Sequence, residues 1–177
     1  MVIGSLTFSK DGRFFAFSIG KGQDLPTDVH LFDLVTRKLL RTLKGHTHGV
    51  SLAFSPNSKY LVSGSRDRTV QFWDLTKPSP APKPAFVLKR AAIPPVHCIA
   101  WSPDGKLVAA GDNEGNVTFF DGSDLNGFAE IPNKYMKKAH EAVVSSLDFS
   151  PDSKRLVTGG FDKKVKVWTL MEKPAGN

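Results

Sequence analysis

Side chains able to do acid–base or covalent chemistry are sparse in this sequence. Serine, histidine and aspartate are present, the hydroxyl, imidazole and carboxylate from which a hydrolase triad is built. The usual companions of other chemistries are missing from the sequence. There is no glycine-rich phosphate loop ending in Lys-Ser/Thr, no His-Glu-x-x-His, and no cysteine pair for zinc. Cys98 is the only cysteine, which excludes an intramolecular disulfide and suits a reducing compartment. It reads as a small buried hydrophobe, and its neighbour His97 as structural. Asp11, Asp104 and Asp152 follow Ser-Lys or Ser-Pro, a setting in which a carboxylate caps a turn. No cofactor and no metal is expected.

The stretch VSLAFSPNSKYLVSGSRDRTVQFWDL, from Val50 to Leu75, shows what must position such groups. Three short segments of alternating character, 50–54, 60–63 and 70–73, are separated by SPNSK and GSRDR. That pattern predicts antiparallel strands joined by tight turns. The chain then repeats it. Phe54-Ser55-Pro56 returns as Trp101-Ser102-Pro103 and Phe149-Ser150-Pro151, with a weaker first copy at Phe8-Ser9-Lys10. Trp73-Asp74 has counterparts in Phe32-Asp33, Phe120-Asp121 and Trp168-Thr169. A period of roughly 47 residues built on this pattern predicts β-propeller blades.

Strands are expected at 3–9, 14–18, 29–33 and 38–43, then at 50–54, 60–63, 70–73 and 86–89. They continue at 96–101, 106–110, 116–120 and near 134–137, and end at 143–149, 155–158 and 164–168. Three repeats thus have four strands and the last has three. The blades are drawn at 1–44, 45–91, 92–138 and 139–177 of a single domain. Between strands, GKGQDLPT reads as a shaped surface loop. The proline-rich TKPSPAPKP reads as a rim spacer, or a ligand for a proline-binding domain.

Composition bounds the function classes. At 177 residues, 40% hydrophobic and 23% charged, the chain can bury a sizeable core. No apolar run approaches the roughly 20 residues that cross a bilayer, so membrane insertion is not expected. The start, MVIGSLTFSKDG, lacks the basic and apolar regions of a secretory signal. Cytoplasm or nucleus is the expected location. The formal charge of +7 invites a nucleic-acid reading. Its basic residues, however, fall in every repeat: Arg37, Lys38, Arg41 and Lys44; Lys89 and Arg90; Lys137 and Lys138; Lys163, Lys164 and Lys166. Spread in that way they read as solvated strand faces, with a docking surface for an acidic protein or RNA as the other reading. No aromatic RNA-binding fingerprint accompanies them.

Taken together, LAFSPNSKYLVSGSRDRTVQFWD and LDFSPDSKRLVTGGFDKKVKVW resemble the WD-repeat (WD40) β-propeller family. The resemblance covers nearly the whole chain and is weakest in the first repeat. It implies an all-β, partial or half propeller of four repeats whose last blade lacks its outer strand. It also implies a buried hydrogen-bond network of a His before the inner strand, a Ser or Thr on the second strand, an Asp in the next turn, and a Trp on the third. His140, Thr158, Asp162 and Trp168 match every position. His46, Ser63, Asp67 and Trp73 match too, with His46 one residue nearer its strand. Repeat three has Pro94-Pro95 and repeat one has no upstream histidine, so their networks are expected to be lost. By the same resemblance the triad-like hydroxyl is spent inside the blade, and no catalytic residue is expected.

A propeller gathers the turns after the second strands on one face. Arg66, Phe161 and Asn113 are expected to point outward there, flanked by His48, Arg68 and Lys163. An exposed aromatic such as Phe161 suits a binding hot spot; the alternative is that it packs on the neighbouring blade. The family implies a non-catalytic scaffold for other proteins or peptides. Four wedges of roughly 50° cover little more than half a ring. Completion by self-association or by another propeller-forming chain is therefore expected, unless the sequence is part of a longer propeller. The rival class is a basic RNA- or DNA-associated subunit of a ribonucleoprotein or chromatin complex.

Overall fold

Apolar positions two apart land on one face of an extended strand, and their intervening neighbours land on the other. In the second and third strands of the middle repeats both sets are buried almost throughout, so each sheet has two faces to cover. The computed structural model describes residues 2–20, 26–77, 86–89, 94–123, 130–136 and 138–170. The expected surface loop, the proline-rich spacer, the connection after Ser123, Lys137 and the last seven residues lie wholly or mostly outside them.

Four antiparallel sheets form, and no helix occurs among the described residues. The first runs β1 (Val2–Phe8), β2 (Phe14–Gly20), β3 (Thr27–Asp33), β4 (Lys38–His46). The second runs β5 (Val50–Phe54), β6 (Tyr60–Ser65), β7 (Thr69–Asp74), β8 (Phe86–Lys89). β9 (Val96–Trp101), β10 (Leu107–Asp112), β11 (Val117–Asp121) and β12 (Glu130–Met136) make the third. β13 (Val144–Phe149), β14 (Arg155–Gly160) and β15 (Val165–Thr169) make the fourth, which is three-stranded among the described residues. The architecture is that of WD40-type propeller blades in an open array.

The sheets stack through their first strands: β1 lies on β5, β5 on β9 and β9 on β13. Three clusters fill the junctions. Ala16, Val29 and Leu31 of the first sheet meet Leu52, Phe54 and Trp73 of the second. Val62, Val70 and Phe72 meet Val96, Ile99 and Trp101, with the Phe72 and Trp101 rings edge to face at 5.4 Å. Ala109, Val117 and Phe119 meet Val144, Phe149 and Leu156.

Each junction also has a knob and a niche. The knob is the first paired residue of the following inner strand, Val50, Val96 or Val144. The niche is a small residue on the preceding second strand, Ser18, Gly64 or Gly111. A Cβ on Gly64 would stand 2.6 Å from Val96 Cγ1, and one on Gly111 would stand 2.7 Å from Val144 Cγ1. Hydroxyls add a polar clasp: Leu52 N–H donates to Ser5 Oγ and Ile99 N–H to Ser51 Oγ, both at 3.2 Å.

The repeats are not four equal copies. The first and third carry Phe32 and Phe120 on the third strand and glycine, Gly12 and Gly105, in the turn before the second. The second and fourth carry Trp73 and Trp168 there and serine, Ser58 and Ser153, in the same left-handed turn position. Those serines reach back across the junction, accepting from Asp11 N–H at 3.2 Å and Asp104 N–H at 3.0 Å. Odd and even repeats therefore alternate.

Filling a niche should cost stability without changing the fold. Gly111→Ala places a methyl against Cys98 Sγ and Val144, and overpacking of this kind costs about 1–3 kcal/mol. The urea midpoint should fall while the far-ultraviolet spectrum stays that of the parent; an unchanged midpoint would contradict the niche.

Candidate functional site

Trp73 can only donate through its indole N–H, and that requirement orders the buried groups of the second sheet. Nε1–H donates to Ser63 Oγ at 2.8 Å. The Ser63 hydroxyl then donates to His46 Nε2 at 2.7 Å, and His46 Nδ1–H donates to Asp67 Oδ2 at 3.0 Å. The fourth sheet repeats the same order of bonds. Trp168 Nε1–H donates to Thr158 Oγ1 at 2.9 Å, Thr158 to His140 Nε2 at 2.8 Å, and His140 Nδ1–H to Asp162 Oδ1 at 2.9 Å. Backbone amides join at the far end, from Thr47 to Asp67 and from Glu141 to Asp162.

His46 and His140 reach the same place although their spacings to Phe54 and Phe149 differ by one residue. The extra residue of the fourth repeat is taken up by a bulge in β13 between Val144 and Ser146, after the histidine has been placed. β5 pairs with β6 without a bulge. His46 also ends β4 of the first sheet while bonding β6 and a turn of the second, so it ties two sheets together.

The connectivity is that of a hydrolase triad, and its placement is not. Ser63 and Thr158 are fully buried, and each oxygen is occupied by an indole N–H. A nucleophile needs a free face toward substrate, and neither hydroxyl has one.

The carboxylates respond to this surrounding. Burial raises the Asp67 carboxyl, but bonds from His46, Thr69 and the Thr47 amide outweigh it and hold the value at about 2. Asp162 is likewise lowered: burial opposes, while His140 and the Glu141 and Lys164 amides prevail. Burial pushes the Cys98 thiol up to about 12, and the thiol donates to Val144 O at 3.3 Å.

The third repeat holds its turn differently. In the third, Asn116 donates through Nδ2 to both oxygens of buried Asp112, at 3.2 and 3.0 Å, and Glu114 N–H adds a bond at 2.8 Å. At the opposite end of the first sheet, Arg13 donates to Asp33 Oδ2 through Nε and Nη2 at 3.2 and 3.1 Å, and Asp33 stands where Asp74 and Asp121 stand in the next two sheets. The Asp112–Asn116 substitute is not visible in the repeat pattern, because the second and fourth repeats carry Ser65 and Gly160 in place of Asp112.

Above the networks, the turns after the second strands share one anchor. The amides of Arg66, Asn113 and Phe161 donate to the carbonyls of Gly49, Pro95 and Val143 at 3.1, 3.0 and 2.9 Å. The three side chains thus stand at equivalent places. Phe161 is 67% exposed. Between the second and third sheets lies a cleft of about 320 Å³ lined by His48, Arg66, Asp67, Arg68, Pro95, His97 and Asn113. Phe161 and Lys163 belong to the fourth sheet and do not line it.

His97 and Pro95 were not marked by any motif. Pro95 stands where Gly49 and Val143 stand, and that register is the signal that places it on the cleft. Burial, and then the charge of Arg66, lower the His97 imidazole, with Asp112 opposing. Lys166 is spent internally: Nζ donates to Ala139 O at 2.5 Å and lies over the Trp168 ring. Among the described residues no cluster of His, Cys, Asp or Glu is arranged to hold a metal, and no helix is long and apolar enough to cross a membrane.

Known proteins share this arrangement. The family model described as "WD domain, G-beta repeat" matches residues 37–74, 87–121 and 133–169. The chain is 28% identical over 158 residues to the Periodic tryptophan protein 2 homolog of Neurospora crassa, covering 81% of this chain and 17% of that protein. It is 28% identical over 145 residues to the APC/C activator protein CDH1 of Saccharomyces cerevisiae, covering 80% and 24%. A chain in the crystal structure of the Mitotic Checkpoint Complex matches with a TM-score of 0.75 and 29% identity, covering 94% of this chain and 47% of that one. The chain spans less than half the length of each.

Two measurements check the networks. Ser63→Ala removes the acceptor of Trp73 and the donor to His46, and should cost about 1–3 kcal/mol in urea unfolding. A carboxylate held below its unfolded value, near 3.9, stabilises above that pH and loses the contribution as pH falls toward its folded value. The parent should therefore weaken between about pH 4 and the Asp67 value of about 2. Asp67→Asn should be less stable at pH 6 and flatter across that window; parallel curves would refute the assignment.

Proposed function

The chain belongs to the WD domain, G-beta repeat family, and on that premise we propose that it is a non-catalytic protein-interaction scaffold. Its partner is a peptide segment carrying an acidic side chain, held on the face where the turns after the second strands gather. The observation that carries this reading is the cleft between the second and third sheets. Its carboxylate, Asp67, is already engaged by His46, Thr47 and Thr69, whereas Arg66 and Arg68 make no ion pair among the described residues. Arg68 supports the reading in a second way. It adopts φ 66°, where Gly115 of the third repeat adopts 87°. A side chain in that region costs roughly 1–2 kcal/mol relative to a relaxed conformation, so the basic residue is kept at some expense. Phe161 and Lys163, with φ 63° at Lys163, extend the face onto the fourth sheet. The work of such a module belongs to the reducing compartments of the cell, cytoplasm or nucleus. The outer faces of the first and fourth sheets, with Ile3, Leu6, Phe8, Val165 and Val167 exposed, are surfaces for further blades, whether of another copy, another chain or the same propeller.

The test is fluorescence anisotropy with a labelled glutamate-rich peptide and its glutamine counterpart. The acidic peptide should bind the parent at least 10-fold more tightly than the neutral one. Arg66→Glu with Arg68→Glu should abolish the preference. Arg68→Gly should weaken binding while leaving the urea midpoint unchanged or raised. The competing nucleic-acid reading gains if single-stranded RNA binds more tightly than the peptide, with a steep salt dependence lost on charge reversal at Lys163 and Lys164.

A further inference from the structure

One side chain of the cleft is turned into it by an irregularity of its own strand. Val96 pairs with Asp112 and Cys98 with Gly111, so His97 is the extra residue of a bulge in β9. A bulge re-aims the side chain it carries. Val96 and Cys98 stay buried, while the half-buried His97 lines the cleft. β5 has no such bulge, and Ser51, which follows Val50, pairs directly with Gly64. No hydrogen bond to a described residue engages the His97 ring, unlike those of His46 and His140. Charged and titratable groups face it from several elements. Arg66, Asp67 and Arg68 come from the turn after β6, His48 from the segment before β5, and Asp112 from the end of β10. Asp67 and Asp112 are already engaged, the one by His46, Thr47 and Thr69, the other by Asn116 and the Glu114 amide. The Glu114 side chain is exposed and does not line the cleft. Burial, and then the charge of Arg66, hold the His97 imidazole below its ordinary value in the free chain, against Asp112.

We propose, resting on the acidic-peptide reading of the cleft, that the peptide's carboxylate sits between the Arg66 guanidinium and the His97 imidazole, and that one proton is taken from solvent by His97 as it binds. Charge balance is the physical reason. Two cations facing each other across a half-buried cleft repel, so the free chain keeps Arg66 charged and His97 neutral. A carboxylate between them attracts both, and an anion within about 4–6 Å favours the charged imidazole. Arginine does not titrate in this range, and histidine does. The protonated ring then has an N–H to donate to the ligand's oxygen, a charge-assisted bond. Proton and peptide therefore raise each other's affinity. The sign follows from the order of the two values, higher in the complex than in the free chain. The added affinity is full below the free value and is lost as pH rises through the bound one. A peptide with glutamine in place of glutamate brings no charge and gains nothing.

The test is anisotropy of the full chain with the labelled glutamate-rich peptide at about pH 8 and about pH 5.5, a range in which glutamate stays ionised. The parent should bind about 10-fold more tightly at the lower pH, the effect of one unit between the bound and free values. The glutamine peptide should show no such gain. His97→Gln should lose the gain while keeping the parent's urea midpoint, since its ring holds no bond to a described residue. His48→Gln removes the other histidine of the cleft and should keep the gain. In proton NMR of the free parent the His97 ring should titrate below 6.5, and addition of the peptide should move it upward. An acidic preference that is intact but independent of pH would overturn the proton at His97 and leave the cleft reading standing. So would a gain that survives in His97→Gln, or a His97 ring that the peptide does not move. Absence of the acidic preference at both pH values would sink the cleft reading and this one together.

Discussion

A small antiparallel sheet that is apolar on both faces has to be covered twice. That constraint governs the whole molecule. Val62 and Leu61 are neighbours on β6, point to opposite sides, and are both fully buried. Neither side can face water without exposing a patch of several large side chains, so the sheet is stable only between two others. Stacking about the first strands follows, since there the small residues Ser18, Gly64 and Gly111 let backbones approach most closely. The turns are left at the ends of the sheets, in water, where they are free to meet partners.

The polar networks act within that packing rather than replacing it. Burying an indole N–H and an imidazole inside an apolar sheet is costly unless each finds a partner, and here each does. Because His46 sits on the first sheet and its partners on the second, the network fixes how the two are placed as well as how each is folded. The turn that carries Asp67 also carries Arg66 and Arg68. Rigidity below the surface therefore becomes presentation above it.

Most of the strands were legible in the sequence, because alternation and Ser-Pro-Asp punctuation report local geometry directly. The histidine, hydroxyl, aspartate and tryptophan sets were legible as residues but not as distances. The unequal spacing of His46 and His140 left open whether both reach the same point, and the answer lay in the β13 bulge, which leaves no mark in composition. Asp112 with Asn116 was not legible, because the third repeat holds its turn with residues that the second and fourth do not share. His97 and Pro95 became part of a surface only once two sheets were set side by side. A cleft between repeats belongs to neither of them.

The alternation of odd and even repeats carries a consequence of parity. Phenylalanine and turn glycine mark one kind of blade, tryptophan and turn serine the other, and each kind is flanked by its opposite throughout the array. As with opposed spins arranged round a loop, such an order meets itself without a fault only when the number of members is even. Lengthening this array by one blade would set two of a kind against each other somewhere; lengthening it by a pair would not.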